Sequence, residues 1–229
     1  MRFGLRKLTL LDYPGKVACT VFTCGCNFRC PFCHNPLLVT GSMEDLEYSF
    51  AEILEFLEKR GRHLDGVCIT GGEPLLHEES VLLAQAAKAM GYHVKLDTNG
   101  SFPERLKELL TAKEVDFVAM DVKNSPEKYA LTSGIKNWEA VRQSVEMLLH
   151  GEVEYEFRTT VTGNLHEKSD FVSIGRWLAG AKRYFLQGFK DSGDILAGNP
   201  LPFEVSDEKL REFLAAIREF IPSAEIRGR

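Results

Sequence analysis

The sequence has no excess of basic charge, no long apolar run and no second group of closely spaced metal ligands. Its 28 basic and 33 acidic side chains give a formal net charge of -5, so it offers no basic surface for nucleic acid. The apolar run of MRFGLRKLTLLDYPGK is short and ends at Pro14 and Gly15, which excludes a signal peptide or a membrane span in this stretch. We therefore expect a cytoplasmic protein that binds neither nucleic acid nor a membrane.

The composition is that of an ordinary globular protein. Of the 229 residues, 44% are hydrophobic and 27% are charged, which is sufficient for one sizeable core. No linker, low-complexity tract or internal repeat divides the chain. We expect one domain over residues 1–229.

Four of the six cysteines are crowded between Cys19 and Cys33. In a chain of this size without a signal sequence, such crowding indicates metal binding rather than disulfides. Cys26, Cys30 and Cys33 in CNFRCPFCHNP can hold three irons of a four-iron cube and leave the fourth iron open for chemistry. Thiolates select iron–sulfur clusters or zinc, but a structural zinc site usually needs a second pair of ligands. The spacing therefore favours an iron–sulfur cluster over zinc.

Cys24 is a candidate fourth ligand that would close such a cluster. It lies too near Cys26 in the CGC sequence for comfortable geometry around a cube. We interpret Cys19, Cys24 and Cys68 as strand or turn thiols, since free cysteine often behaves as a small buried hydrophobic residue.

Short apolar runs alternate with amphipathic stretches, as in βαβ units around a parallel sheet. Six runs have the apolar density of strands covered on both faces: VACTVFTC from Val17, GVCIT from Gly66, HVKLDT from His93, VDFVAMD from Val115, VEYEFRTTV from Val153 and RYFLQGF from Arg183. Gly61, Gly91 and Gly151 each follow a helical run, where a left-handed C-cap is expected. The sequence thus predicts an α/β fold of six parallel βα units.

The position of the polar residues distinguishes a barrel from an open sheet. Polar groups lie at or near the C-terminal ends of all six predicted strands: the cysteine loop, then GGEP, then Asp97, Thr98 and Asn99, then Asp121 and Lys123, then Arg158 and Thr160, then Gln187. Barrel active sites are built at that end of many strands, whereas an open sheet binds ligands at one switch point and uses few strands. We therefore predict a partial, six-stranded TIM-type barrel.

Two motifs resemble those of the radical S-adenosylmethionine (radical SAM) enzymes. One is CNFRCPFCHNP, with the aromatic Phe32 before the last cysteine, and the other is VCITGGEPLL from Val67 to Leu76. The longer segment LDYPGKVACTVFTCGCNFRCPFCHNP resembles the activating enzymes of glycyl-radical proteins. Within these it is most similar to the anaerobic ribonucleoside-triphosphate reductase activating proteins, with pyruvate formate-lyase activators nearby. The resemblance implies the partial barrel of the radical SAM fold.

The resemblance also implies two cofactors, a 4Fe-4S cluster and S-adenosylmethionine (SAM). Cys26, Cys30 and Cys33 would bind the cluster. The cofactor-binding residues that we predict are Phe32, Gly71, Gly72, Glu73, Asp97, Asn99, Lys123, Thr160 and Gln187. Among these, the GGE residues would hold the methionine amino group, with the Glu73 side chain as an acceptor for the ammonium, and Lys123 would meet the methionine carboxylate. Asp97 and Asn99 would contact the ribose. No general base is required, so we assign no catalytic side chain.

As a member of this group, the chain would be an activase that abstracts hydrogen from a glycine of a partner enzyme, with anaerobic ribonucleotide reductase as the implied partner. A flavodoxin or ferredoxin-type protein would supply the electron. Three alternatives remain open: a radical SAM enzyme for a small molecule, such as a deazapurine synthase; an iron–sulfur electron carrier, which would need neither GGEP nor Lys123; and a structural zinc protein.

Overall fold

The computed structural model describes residues 1–41, 46–191 and 193–228. These residues form two compact units that the chain enters more than once. The first unit contains Met1–Asn27, Leu37–Ala119 and Glu152–Glu154, and the second contains Phe28–Pro36, Met120–Gly151 and Tyr155–Arg229. One domain over residues 1–229 stays a prediction, and residues 42–45, 192 and 229 of that range lie outside the described residues.

The predicted α/β class is confirmed by the order of the elements. The strands are β1 (Arg2–Thr9), β2 (Ala18–Thr23), β3 (Tyr48–Ser49), β4 (Gly66–Gly71), β5 (His93–Thr98), β6 (Phe117–Asp121), β7 (Glu154–Val161), β8 (Tyr184–Gly188) and β9 (Glu225–Arg227). The helices are α1 (Pro36–Thr40), α2 (Phe50–Arg60), α3 (Glu78–Ala89), α4 (Pro103–Thr111), α5 (Tyr129–Ser133), α6 (Glu139–His150), α7 (Lys168–Trp177) and α8 (Asp207–Arg218). All six predicted strands are present, as β2 and β4 to β8.

In the first unit the strand order is β3-β1-β2-β4-β5. Strands β2, β4 and β5 are parallel, whereas β1 is antiparallel to both of its neighbours. The sequence did not reveal β1, because RFGLRKLT has several charged and half-exposed positions and lacks the apolar density of a doubly covered strand.

A small buried cluster of aromatic and alanine side chains lies near the N-terminal ends of β2 and β6 in the first unit. Tyr13 packs in one buried cluster with Ala18, Phe117 and Ala119. A Cβ atom at Gly66 would lie 2.8 Å from the His93 carbonyl oxygen and 3.0 Å from the Tyr13 ring, so this strand position requires glycine. Burial raises the pKa of Tyr13 above its ordinary value. The N-terminal ends of these strands are therefore packed against apolar side chains, and the polar groups lie farther along the strands.

In the second unit β7, β8 and β9 are neighbouring parallel strands. Strand β9 was not predicted, because EIR is only three residues long. It carries Arg227, which forms two hydrogen bonds of 2.6 and 2.7 Å to the buried Glu156 carboxylate. The outer helices α7 and α8 pack through Phe171 and Phe213, whose ring centroids are 4.6 Å apart.

The helix ends follow the sequence expectations only in part. Gly91 has a positive φ of 88°, as expected after a helix. Gly61 also has a positive φ of 46°, but its ψ of -124° lies outside the left-handed helical region. Gly151 is extended, with φ at -87°, because the chain passes within three residues into β7. A Cβ atom there would lie 2.7 Å from the Met147 carbonyl oxygen, so glycine is needed for space. Within the described residues, no helix is long and apolar enough to cross a membrane.

Candidate active site

The two glycines after β4 allow two stretches of backbone to come together in the first unit. Gly71 has a φ of 125°, and a Cβ atom there would lie 2.3 Å from the Thr23 carbonyl oxygen. A Cβ atom on Gly72 would lie 2.0 Å from the Gly25 carbonyl oxygen. The Glu73 N–H donates to that same carbonyl at 2.8 Å. The GGE segment is therefore joined directly to the loop that leads to the first cysteine of the motif.

The Glu73 side chain is fully buried and accepts three internal hydrogen bonds. They come from Leu75 N at 3.1 Å, from Thr98 Oγ1 at 2.7 Å and from Asn99 N at 2.7 Å. This differs from the expectation that the carboxylate itself faces a ligand ammonium. The carboxylate instead connects the loop after β4 to the loop after β5, because the N–H groups at both loop starts need an acceptor.

A buried lysine that we did not single out from the sequence holds Asp97. Lys95 is 2% exposed, and its ammonium forms an ion pair with Asp97 Oδ1. The other oxygen of Asp97 accepts from Thr70 Oγ1 at 3.2 Å. An unpaired ammonium at this depth would be costly, so the pair fixes the carboxylate near the end of β5. A charged residue in the middle of the apolar run HVKLDT is the signal that could have identified Lys95.

The remaining motif residues of the first unit lie beside these loops. Asn99 is 5% exposed, and its amide nitrogen lies 3.8 Å from Cys26 Sγ and 3.0 Å from Asn27 Oδ1. The loop before Cys26 is held by His77, whose Nε2 lies 2.6 Å from the Cys24 carbonyl oxygen. The structure thus brings Asn99 and Cys26 together.

The second unit contains the rest of the cysteine motif. Neither Cys30 nor Cys33 is in a disulfide, and the Cys33 N–H donates to the Cys30 carbonyl at 3.1 Å. Phe32 is 3% exposed and packs edge-on against Phe203 at a centroid distance of 6.2 Å. His34 stacks on a phenylalanine ring at 5.0 Å. Aromatic contacts of Phe32 and His34 therefore help to fix the conformation of the loop that contains Cys30 and Cys33.

The other three cysteines have the environment of structural thiols. Cys24 is buried, and its thiol donates to the Gly41 carbonyl at 3.1 Å. Cys19 is fully buried, and burial raises its pKa to about 12. Cys68 is also fully buried. A cluster ligand must be a thiolate, and the interpretation that none of the three is a ligand stays a prediction.

A cationic cluster follows β6 in the second unit. Asp121 Oδ2 lies 3.0 Å from Lys123 Nζ, and Asp121 Oδ1 lies 2.9 Å from Arg158 Nε. Burial alone would raise the pKa of Asp121, but the two cations lower it to about 2. Burial opposes the charge of Lys123, yet the Asp121 carboxylate and the Cys30 thiol raise its pKa above the ordinary range. Two cations share one carboxylate, so the three side chains together carry positive charge that suits an anionic ligand.

His166 fixes the backbone at Lys123. It is fully buried, and its Nδ1 accepts from the Thr162 backbone N–H at 3.1 Å. Because that N–H can only donate, the proton must be on Nε2, which donates to the Lys123 carbonyl at 3.0 Å. Burial lowers the pKa of His166 to about 4. The neutral ring is thus part of the support for the Lys123 loop.

The folded protein should lose stability as pH falls below the ordinary pKa of histidine. Between the unfolded value of about 6.5 and the folded value of about 4, the unfolded chain binds the extra proton. From pH 7 to pH 5 this linkage should remove about 2 kcal/mol of the free energy of unfolding. Urea unfolding of the wild type and of His166→Gln at both pH values measures it. The same pH dependence in both proteins would contradict this account of His166.

Thr160 and Gln187 are directly opposite each other in the register of β7 and β8. Both are half-buried, so their assignment to a cofactor site stays a prediction. In the described part of the chain, no three His, Cys, Asp or Glu side chains are arranged around a single metal ion. Ligands of one zinc ion must converge on one point, whereas the thiolates of a four-iron cube bind different irons.

Comparison with known proteins identifies the family. Residues 20–178 match the Radical SAM superfamily. The chain is a radical SAM protein. It is 30% identical over 242 residues to a protein of Methanocaldococcus jannaschii with the provisional name glycyl-radical enzyme activating enzyme, a match that covers 98% of this chain and 94% of that protein. This radical SAM protein therefore belongs with the glycyl-radical enzyme activating enzymes, and the predicted family is confirmed.

Two partial matches extend this comparison. The pyruvate formate-lyase-activating enzyme of Listeria monocytogenes is 34% identical over 129 residues, which cover 52% of either chain. The 7-carboxy-7-deazaguanine synthase of Halobacterium salinarum is 40% identical over 101 residues, which cover 40% of this chain and 36% of that enzyme. Both matches are shorter than the match to the Methanocaldococcus jannaschii protein.

The fold is shared with a solved structure of a protein bound to S-adenosylmethionine. The structure of Streptococcus suis SuiB bound to S-adenosylmethionine superposes with a TM-score of 0.70 at 12% identity, covering 90% of this chain. The radical SAM protein spans about half the length of that solved chain, of which 49% is covered. The predicted fold class, an α/β partial barrel of parallel βα units, is confirmed.

Proposed function

We propose that this radical SAM protein is an activase that abstracts hydrogen from a glycine of a partner enzyme, with anaerobic ribonucleotide reductase as the partner. The observation that carries the proposal is the similarity to a glycyl-radical enzyme activating enzyme over 98% of this chain. When bound, a reduced 4Fe-4S cluster and SAM together supply a one-electron cleavage of SAM that yields a hydrogen-abstracting radical.

The thiols suit the cluster in their chemistry. Cys26, Cys30 and Cys33 form no disulfide, and thiolates are the ligands that such clusters use. Cys24 has a backbone carbonyl acceptor within hydrogen-bond distance, so three thiols remain in the motif. Three ligands leave one iron open for SAM. Phe32, buried against Phe203, would fix the loop between the last two ligands.

We propose SAM-binding residues in each unit by itself. In the first unit, the backbone carbonyls of Gly71, Gly72 and Glu73 would accept from the methionine amino group, and Asp97, held by its lysine partner, would accept from a ribose hydroxyl. In the second unit, Lys123 would pair with the methionine carboxylate as a point charge. We further propose Asn99 of the first unit and Thr160 and Gln187 of the second as SAM-binding residues. Their task is to orient SAM and exclude water, because the reaction needs placement rather than a general base.

The substrate of the proposed activase is a protein. This follows from the relative matched over 98% of this chain, whose name describes the activation of a glycyl-radical enzyme. A flavodoxin or ferredoxin-type protein in the cytoplasm would supply the electron. The second candidate is a small-molecule enzyme of the deazapurine synthase kind, favoured by the 40% identity over 101 residues. That match covers less than half of the chain, so we place it second.

The proposal is tested by anaerobic incubation of the reduced protein with SAM and anaerobic ribonucleotide reductase. We expect 5′-deoxyadenosine and a carbon-centred doublet on the partner by electron paramagnetic resonance (EPR). Without a partner the cleavage should be slow, because the encounter supplies the placed hydrogen donor. Fast cleavage with a deazapurine precursor and no radical on any glycyl-radical enzyme would favour the second candidate instead.

A further inference from the structure

Three polar side chains of the first unit form a closed ring of hydrogen bonds. The Asn27 amide donates to Ser101 Oγ at 2.9 Å, and that hydroxyl donates to Asn99 Oδ1 at 2.6 Å. The Asn99 amide nitrogen closes the ring by donating to Asn27 Oδ1 at 3.0 Å. Because Asn99 is also 5% exposed, its side chain is held in one orientation.

The ring determines which end of the Asn99 amide faces Cys26. The Ser101 backbone N–H reaches Asn99 Oδ1 at 2.9 Å, and since a backbone N–H can only donate, that atom must be the oxygen. The other end is therefore the NH₂ group, which has two hydrogens to donate. One goes to Asn27, and Nδ2 lies 3.8 Å from Cys26 Sγ. The group directed at the sulfur is a hydrogen-bond donor.

We propose that Asn99 donates a hydrogen bond to the sulfur of the cluster ligand Cys26 and thereby raises the reduction potential of the cluster. This inference rests on the proposed function, in which Cys26 is a ligand. Hydrogen bonds to the sulfurs are among the factors that set the potentials of such clusters. The reduced cluster carries one more negative charge than the oxidised one, so a donor at the sulfur stabilises the reduced form more. Asn99 thus favours the one-electron reduction that precedes SAM cleavage.

The test is a potentiometric titration of the reconstituted holoprotein, followed by the EPR signal of the reduced cluster. At a fixed applied potential, Asn99→Ala should shift the ratio of reduced to oxidised cluster about tenfold toward the oxidised form. For a one-electron couple this corresponds to a fall of about 59 mV in the reduction potential. Asn99→Asp keeps an oxygen for Ser101 but replaces the donor by a carboxylate, so its potential should fall further. In both variants the iron content should stay at about four per chain.

Ser101→Ala removes the hydroxyl from the ring and leaves the Asn99 amide in place, so a smaller fall in potential is expected. Asn137→Ala is the matched control, because this exposed asparagine accepts from the Glu139 N–H at 2.9 Å, and the potential of this variant should equal that of the wild type. If Asn99→Ala loses its iron, the same titration of Asn99→Asp and Ser101→Ala tests the proposal, which predicts a lower reduction potential in both.

Unchanged potentials in the Asn99 and Ser101 variants, with full iron content, would overturn the inference and leave the proposed function intact. A wild-type protein that binds no cluster would instead remove the proposed function itself, and a cluster that survives Cys26→Ala would show that the ligand assignment is wrong. The two failures are therefore distinguishable.

Discussion

Replacing any one of Cys26, Cys30 and Cys33 by alanine should remove the whole iron–sulfur cluster. Each thiolate would hold a different iron, so the loss of one leaves an iron without protein ligand in a site that already has one open position. Anaerobically reconstituted wild-type protein should contain about four irons and show visible charge-transfer absorbance. Each single variant should contain almost no iron, as measured by iron analysis and absorbance.

Cys24→Ala is the matched control, because Cys24 lies two residues before Cys26 and its thiol already donates to the Gly41 carbonyl. Cys19→Ala and Cys68→Ala change thiols that are fully buried. All three variants should retain the cluster, with a stability cost from lost packing. A Cys24→Ala protein without iron, together with a cluster that survives loss of Cys26, Cys30 or Cys33, would show that the ligand assignment is wrong.

Lys123→Ala should keep the cluster and weaken SAM binding about tenfold to a hundredfold. The change removes a charge-assisted contact worth roughly 1.5 to 3 kcal/mol. Asp121 keeps its 2.9 Å contact with Arg158, so the variant should fold. Calorimetry on the reconstituted protein measures the affinity. Lys128→Ala is the control, since this lysine of the same unit pairs with Asp170, and its SAM affinity should not change.

Glu73→Ala should also weaken SAM binding on this scale, but for a different reason. Its carboxylate accepts from Leu75, Thr98 and Asn99, and its loss would leave buried donors without an acceptor. The variant should therefore be less stable than the wild type, unlike Lys123→Ala. Glu73→Gln keeps one acceptor oxygen, so it should lose less stability and less SAM affinity than Glu73→Ala. Unchanged SAM affinity in both Lys123→Ala and Glu73→Ala would remove our account of the SAM site.

The sequence predicted the central strands because their physical signal is local. Doubly covered parallel strands need continuous apolar runs, so β2 and β4 to β8 were all recognisable. Strands β1 and β9 were missed, because β1 has charged, half-exposed positions and β9 is very short. Their pairing depends on partners distant in sequence, which no local pattern specifies.

The candidate site was likewise predictable where its signal is local in the sequence and not where it depends on distant residues. Motif spacing identified the cysteines and the GGE segment, since both are contiguous in the sequence. It did not show that Glu73 connects two loops, that Lys95 holds Asp97 or that His166 supports Lys123. Each of these roles depends on side chains that are brought together only by folding, such as His166 and Lys123, 43 positions apart. Buried polar groups must find partners, but the sequence does not show which ones.

Transfer of deuterium tests the central claim most directly. Anaerobic ribonucleotide reductase with deuterated glycine is incubated with the reduced protein and SAM, and 5′-deoxyadenosine is analysed by mass spectrometry. The account predicts that the label appears in 5′-deoxyadenosine as the doublet of the glycyl radical appears. The account is contradicted if the label never transfers from any glycyl-radical enzyme while a free small molecule supplies the hydrogen at a catalytic rate.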